Sequence, residues 1–201
     1  MSLGRGTFGG SLQFAARGVL DAAVSQRNMR VHLVAAVLVA TFGSAVPLGL
    51  AEQLALLVSV FLVISAEVMN CAVESAVDLA TGEPDERARR AKDAAAGAVL
   101  VLVAGALAVF AVVLIRDWDL VRSAREGVAR VLAVGLPLTV LSAFLVFPFG
   151  RPEGLDLLAA ASGAALLLPL ALFSQSLVFT GLAAAAFAVC AAAAFARRGA
   201  E

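Results

Sequence analysis

Two cysteines and a single histidine leave this chain short of the groups that build disulfide frameworks and zinc sites. Cys71 and Cys190 both fall inside apolar runs, where a thiol behaves as a small hydrophobe. His32 opens the first of these runs, and its position suits an interfacial residue rather than a ligand. The chain also lacks the GxxxxGK[ST] nucleotide cradle, the HExxH metalloprotease helix and the serine-hydrolase elbow. The glycine-rich stretch GRGTFGG at 4–10 is too short and too exposed to cradle phosphate. Neither sign of charge prevails, with 15 Lys and Arg against 15 Asp and Glu, and no nucleic-acid partner is expected. Short alternating segments, the signature of an outer-membrane barrel, are missing. No charged start leads directly into an apolar core, so a cleavable signal peptide is not expected.

What the chain has in abundance is apolar length. Hydrophobic residues make up 62% of its 201 positions and mean hydropathy is +0.97. Several runs approach the ~20 residues that a helix needs to cross the hydrocarbon. The expected class is an all-α integral membrane protein. Residues 1–12 read as a flexible tail. From 11 to 30, Phe14, Val19, Ala22 and Met29 recur at helical spacing with Arg17, Asp21, Gln26 and Arg30 between them. That pattern suits an amphipathic helix on the membrane surface, although a plain entry segment to the first span would look similar. Spans are expected at about 31–50, 54–79 and 94–115, the last two separated by a loop in which Gly82 and Pro84 break the helix. A charged amphipathic connector at 116–130 follows, with Trp118 as an interfacial anchor. About three further spans complete the chain, near 131–149, 155–173 and 177–195.

Basic residues mark the orientation. Arg5, Arg17, Arg27 and Arg30 precede the first span, the first loop has none, and Arg87, Arg89, Arg90 and Lys92 fill the second. The positive-inside rule then puts the N-terminus and the 78–93 loop in the cytoplasm of a multi-pass inner (plasma) membrane protein. Arg116, Arg122, Arg125 and Arg130 fall on the other side by alternation, a conflict that leaves the topology of the last third open.

The second span carries the most informative residues. Glu67, Asn70, Glu74 and Asp78 follow one another at spacings that confine them to an arc of about 80° on one helix face. Ionisable groups at membrane depth cost at least ~2.5–3.5 kcal/mol each, so such a face needs a reason. Burial among apolar neighbours suits Glu67 to abstract a proton. Glu74, nearer the helix end, is placed to hold a hard cation, with Asn70 and Asp78 offering further oxygens. Lys92, beside Asp93 at the start of the next helix, supplies a cation for phosphate. Together these suggest phosphoryl transfer near the headgroups. A structural polar seam, a proton or cation pathway, and a dipole-favourable N-terminal charge at Asp93 remain open on spacing alone.

SAEVMNCAVESAVDLA followed by ARRAKDAAAGAVLV closely resembles the two-part signature of the prokaryotic diacylglycerol kinase/undecaprenol kinase family, and ARG…RNMRVHLVAAV resembles its N-terminal part. The resemblance covers about 13–115. It implies an N-terminal surface helix and a three-helix transmembrane kinase core, working as a homotrimer with shared active sites. It further implies transfer of the γ-phosphoryl of Mg-ATP to a membrane lipid alcohol at the cytoplasmic face. By matched position Glu67 is the implied catalytic base with Asn70 supporting it, and Glu74 is a metal ligand. Asp78, Lys92 and Asp93 are implied to line the nucleotide region, while Arg17 and Gly18 match the entry to the nucleotide-contacting surface helix. RVHLVAAVLV and AKDAAAGAVLV look nearer the undecaprenol branch than the diacylglycerol branch.

Two departures stand out. Where the family has a metal-ligating glutamate, this chain has Gln26, which offers a carbonyl oxygen without charge. The small members of the family also lack the extension from about Arg116 onward, whose Ala, Leu and Val content assigns it no role and in which (116–201) no lipid-phosphatase signature is present. A catalytically degenerate member that binds lipid or assembles with other proteins is the alternative; a transporter is weakly supported by Ser142, Ser162, Ser174 and Gln175.

Overall fold

In the computed structural model, which describes residues 8–198, Gln26 divides the N-terminal amphipathic segment in two. Helix α1 (Phe8–Ser25) closes with Gln26 N donating to Ala22 O at 2.8 Å, and Gln26 itself is extended (φ −96°, ψ 125°). Helix α2 (Arg27–Ala45) starts immediately afterwards, so Arg27–Arg30 belong to the first span and not to the surface helix. Part of the expected tail is helix. Residues 8–12 are helical, and 1–7 lie outside the described residues. On α1 only Ala22 and Ala23 are buried, while Phe8, Leu12 and Phe14 are exposed.

The remaining helices are α3 (Leu50–Ala80), α4 (Glu86–Arg116), α5 (Trp118–Ser123), α6 (Arg125–Val146), α7 (Glu153–Phe173) and α8 (Leu177–Arg198). Six of them, all but α1 and α5, are long and apolar enough to cross a membrane. The protein is therefore an all-α membrane protein, as its composition requires. The charged connector is largely helical: α5 is a single short turn-rich piece, and α6 starts at Arg125 rather than at 131. At that end Arg116 Nη1 pairs with Glu52 Oε1 at 3.1 Å, so one arginine of the conflicting group is held by an acid of α3.

The 31 residues of α3 and of α4 give each a length of roughly 46 Å, well beyond the ~30 Å of hydrocarbon. Their polar tips, which carry Glu74, Asp78, Lys92 and Asp93, consequently lie past the apolar stretch. Asp85 stops the intervening loop from fraying, its carboxylate accepting from Arg87 N (2.7 Å) and Ala88 N (3.1 Å) at the start of α4.

Helix α2 is the hub. It packs against α8 and α6, and more lightly against α3, while α3 and α4 form a hairpin at the side of this bundle. Two close approaches explain the packing on α2: a Cβ on Gly43 would collide with the Phe179 ring of α8, and one on Gly135 of α6 would collide with Thr41. Burial follows. Half of the apolar stretches of α2 and α8 are enclosed, against 11% of α4. Glu74 of α3 meets Gln26 at one end of the bundle, whereas Gln175 N reaches Ser44 O (2.8 Å) and Ser176 Oγ reaches Gln53 (2.9 Å) at the other. The elbow at Gln26, the α3–α4 loop, the α6–α7 loop and the end of α8 thus share one face of the membrane.

Candidate functional site

Helical spacing puts Glu67, Asn70 and Glu74 in line on α3, and the packing of α2 against α3 brings the Gln26 elbow over them. Glu67 is 1% exposed and Asn70 4%. The Glu74 carboxylate accepts from Asn70 Nδ2 at 3.0 Å on one oxygen and from Gln26 Nε2 at 3.1 Å on the other. Gln26 Nε2 also lies 3.9 Å from Cys71 Sγ, a neighbour the sequence pattern did not single out. Both carboxyl oxygens of Glu67 and Oδ1 of Asn70 are buried without a hydrogen-bond partner among the described residues. Buried polar atoms are nearly always paired, and each exception calls for an explanation. A group waiting for a substrate hydroxyl is one such explanation.

A second part of the site lies at the helix tips. A cleft of about 670 Å³ is bounded by Asp78, Gly82, Glu83, Asp85, Arg89 and Lys92, among others. Lys92 Nζ bridges from α4 to Asp78 Oδ1 of α3 at 2.5 Å, which ties the two tips together. Asp93 is held instead by Arg89, one turn earlier on its own helix, at 2.5 Å. Arg89 also pairs with Glu86, making it the centre of an exposed charge chain that motif reading left out. The structure therefore brings together Gln26, Asn70 and Glu74, and separately Asp78 and Lys92. Arg17 and Gly18 stand exposed on α1, and no hydrogen bond or ion pair joins Arg17 to the α3 face.

A magnesium ion is the metal that the resemblance implies. Among the described residues no three His, Cys, Asp or Glu side chains converge into a metal cage. Magnesium rarely uses such a cage; it takes one or two carboxylates and completes its shell with water and nucleotide phosphates. Glu74, with the amide oxygens of Asn70 and Gln26 within reach of the same point, fits that requirement. The fit needs the two amides to turn, because in the structure both direct N–H groups at Glu74.

A deeper apolar cavity of about 410 Å³ lies between α2, α3 and α4, lined by His32, Phe42, Val60, Val63, Ile64 and Phe110 among others. Val63 and Ile64 sit one turn before Glu67, so the carboxyl lies above an apolar slot that opens within the spanning region.

The model of the family described as prokaryotic diacylglycerol kinase matches residues 13–114. The undecaprenol kinase of Bacillus subtilis (strain 168) is 38% identical over 91 residues, which cover 45% of this chain and 74% of that protein. The diacylglycerol kinase of Synechocystis sp. (strain ATCC 27184 / PCC 6803 / Kazusa) is 40% identical over 100 residues, covering 49% of this chain and 57% of that one. No solved structure matches the chain significantly. The matched region contains all of α2 and α3 and nearly all of α4, with every residue of the two polar groups above, and it stops where the additional helices start. The chain belongs to the prokaryotic diacylglycerol kinase family of membrane lipid kinases.

Proposed function

We propose that this protein transfers the γ-phosphoryl group of Mg-ATP to the primary hydroxyl of a membrane lipid alcohol, undecaprenol in preference to diacylglycerol, at the cytoplasmic face of the inner membrane. The observation that carries the reading is Glu67, buried with both oxygens unpaired next to Asn70 and Glu74. The lipid chain lies in the apolar slot beside Val63 and Ile64 and presents its hydroxyl to Glu67. Glu67 takes the hydroxyl proton as the lipid oxygen bonds to the γ-phosphorus, and the bond from that phosphorus to the β–γ bridging oxygen breaks to release ADP. Without a metal, Asn70 orients this face through its bond to Glu74. Glu74, with the amide oxygens of Gln26 and Asn70 once these amides turn, would hold a magnesium ion, which would supply charge neutralisation for the phosphates. Lys92, Asp78 and Asp93, with Arg17 and Gly18 of α1, bind the nucleotide.

In this reading residues 13–115 are the kinase domain, 116–130 the connector and 131–201 a membrane extension. The sparsely covered α3–α4 hairpin leaves a face on which further copies, in a trimer, would pack. Purified protein supplied with labelled ATP, magnesium and either lipid tests the proposal. Lipid-dependent labelling that Glu67→Gln abolishes is the expected result; no lipid-dependent transfer, or transfer indifferent to Glu67→Gln, refutes it.

One observation favours a second reading, a member that binds lipid or assembles without catalysing transfer. The Gln26 side chain, where the resemblance implies a second carboxylate, donates an N–H to Glu74. Gln26→Glu separates the two: it lowers the magnesium requirement if position 26 is a metal ligand, and leaves an inactive protein inactive if the site has degenerated.

A further inference from the structure

The face that carries the Glu74 group also carries a cluster of opposite sign, built wholly from the extension. The loop after α6, the first turns of α7 and the end of α8 enclose a cavity of about 150 Å³ bounded by Phe149, Arg151, Asp156, Arg197 and Arg198, among others. Asp156 and Arg151 are almost fully buried, with side chains 3% and 7% exposed, and Arg198 is 27% exposed. Asp156 is fully engaged: it accepts from Arg151 Nε at 2.5 Å and from Arg198 Nε at 2.6 Å. Among the described residues the cavity thus has three guanidinium groups and one carboxylate, which Arg151 and Arg198 share, leaving two positive charges in excess. Arg197 also feels the like charge of Arg30 on α2, which adds to the excess. Glu153 in the first turn of α7 is exposed and makes no ion pair with these arginines.

Buried charge is ordinarily paired, because removing an ion from water without a partner costs several kcal/mol. Part of the guanidinium capacity goes to the end of α6: Arg197 donates to Val146 O and Leu145 O, both at 2.6 Å, and Arg151 to Phe147 O at 3.1 Å and Leu145 O at 3.4 Å. Arg198 Nη2 reaches Arg151 O at 2.9 Å. With the two bonds to Asp156, these make seven hydrogen bonds, set against about fifteen N–H donors on three arginines. Capping α6 therefore uses four of these donors, and the partial negative charge of a helix end, about half an elementary charge, offsets less than the excess. The Arg151 guanidinium is fixed in place by the Phe144 ring, 4.0 Å from its centroid, and by Phe149 at 5.7 Å.

We propose that this cavity binds the phosphate of a lipid headgroup, a phosphate monoester such as that of phosphatidic acid being the matching chemistry. Rigid guanidinium groups with parallel donors suit a phosphate dianion, which would balance the two excess charges. Phe149, 60% exposed at the rim, with Pro148 beside it, gives the site an apolar border along which acyl chains would run. A free phosphate ion shares the headgroup chemistry but makes no use of that border.

The test measures binding to the full chain in detergent, with phosphatidic acid, phosphatidylcholine or inorganic phosphate as the probe, by counting retained lipid in native mass spectrometry and by thermal midpoint. Expected is retention of phosphatidic acid over phosphatidylcholine, weakened about tenfold in Arg198→Gln, which removes one charged donor and leaves the Arg197 bonds to α6. Stabilisation by inorganic phosphate that Arg198→Gln abolishes, without phosphatidic acid retention, keeps the phosphate site and transfers it to the free ion. Equal retention of the two lipids by the wild type together with no effect of inorganic phosphate overturns the proposal, and so does an Arg198→Gln variant that binds phosphatidic acid as the wild type does. Should the variant fail to fold, Arg198→Lys, which keeps the charge and loses the forked donors, makes the same comparison.

Discussion

Glu67 and Asp156 are both buried acids near the same face of the membrane, yet their surroundings are opposite. Asp156 has an arginine on each oxygen, whereas Glu67 has no partner on either. An acid that is fully paired serves the fold or a charge balance. One left unpaired at this cost is retained for what it does to a visiting group. The same contrast runs through the two halves of the chain. The family-matched half leaves Glu67 unpaired on a loosely enclosed hairpin, while the extension locks onto α2 through tight steric contacts and keeps a surplus of base.

The largest effect expected from this contrast is a double dissociation. Glu67→Gln should cost about 10²–10⁴-fold in the rate of lipid phosphorylation, the usual worth of a general base, and leave thermal stability unchanged or raised. Asp156→Ala should do the reverse. It strips the carboxylate from Arg151 and Arg198 and should cost about 3–5 kcal/mol of stability, the range for breaking a buried pair by removing one partner. Thermal midpoint and initial rate, measured on both variants, check the pair. A stable Asp156→Ala protein would show that water already screens the arginine cluster.

Steric locking ranks next. Gly43→Val puts two methyl groups where the Phe179 ring lies, and overpacking of that kind costs about 1–3 kcal/mol. The substitution should loosen α8 from α2, lower the thermal midpoint and make the extension more susceptible to protease than the α3–α4 hairpin. Equal loss of both regions would mean that the two halves do not differ in how they are held.

Much of this was legible in the residues. Hydropathy gave the six spans because nothing but helices satisfies backbone groups in lipid. The polar face of α3 was readable because its spacing is locked to the helix period. Tertiary partners were not readable in that way. The separation of Asp93 from Asp78 depends on Arg89 capturing Asp93 one turn away, a competition between neighbours that a motif does not express. The break at Gln26 was hidden because residues 11–30 keep helical periodicity across it, and only packing of α2 against α8 and α6 decides where the chain turns. The arginine cluster was invisible for a related reason: Arg151, Asp156 and Arg198 are brought together by the fold from three separate segments.

A third prediction concerns Gln26, where the contrast between paired and unpaired acids turns on one atom. Gln26→Glu would place a carboxylate about a hydrogen bond from Glu74, and two anions at that spacing need a cation or a proton between them. Magnesium should therefore stabilise the variant more than the wild type, and the magnesium concentration for half-maximal activity should fall severalfold. Identical magnesium titrations of the two proteins would remove position 26 from the metal site.

The smallest effect on stability, and the finest test, lies at the exposed helix tips. Asp78 and Lys92 form a close pair, but their side chains are 67% and 36% exposed, and such pairs contribute about 0–1 kcal/mol. If the pair were there to hold α3 and α4 together, Lys92→Gln would act on thermal stability; the long apolar contact between the two helices makes that contribution redundant. If Lys92 instead exchanges Asp78 for a phosphate when nucleotide enters the cleft, the variant should raise the KM for ATP severalfold and change the KM for the lipid little. Salt should narrow the difference between the two proteins, since the charges involved face solvent. A KM for ATP unchanged by Lys92→Gln would make the pair a surface bridge and confine the working site to the buried group around Glu67.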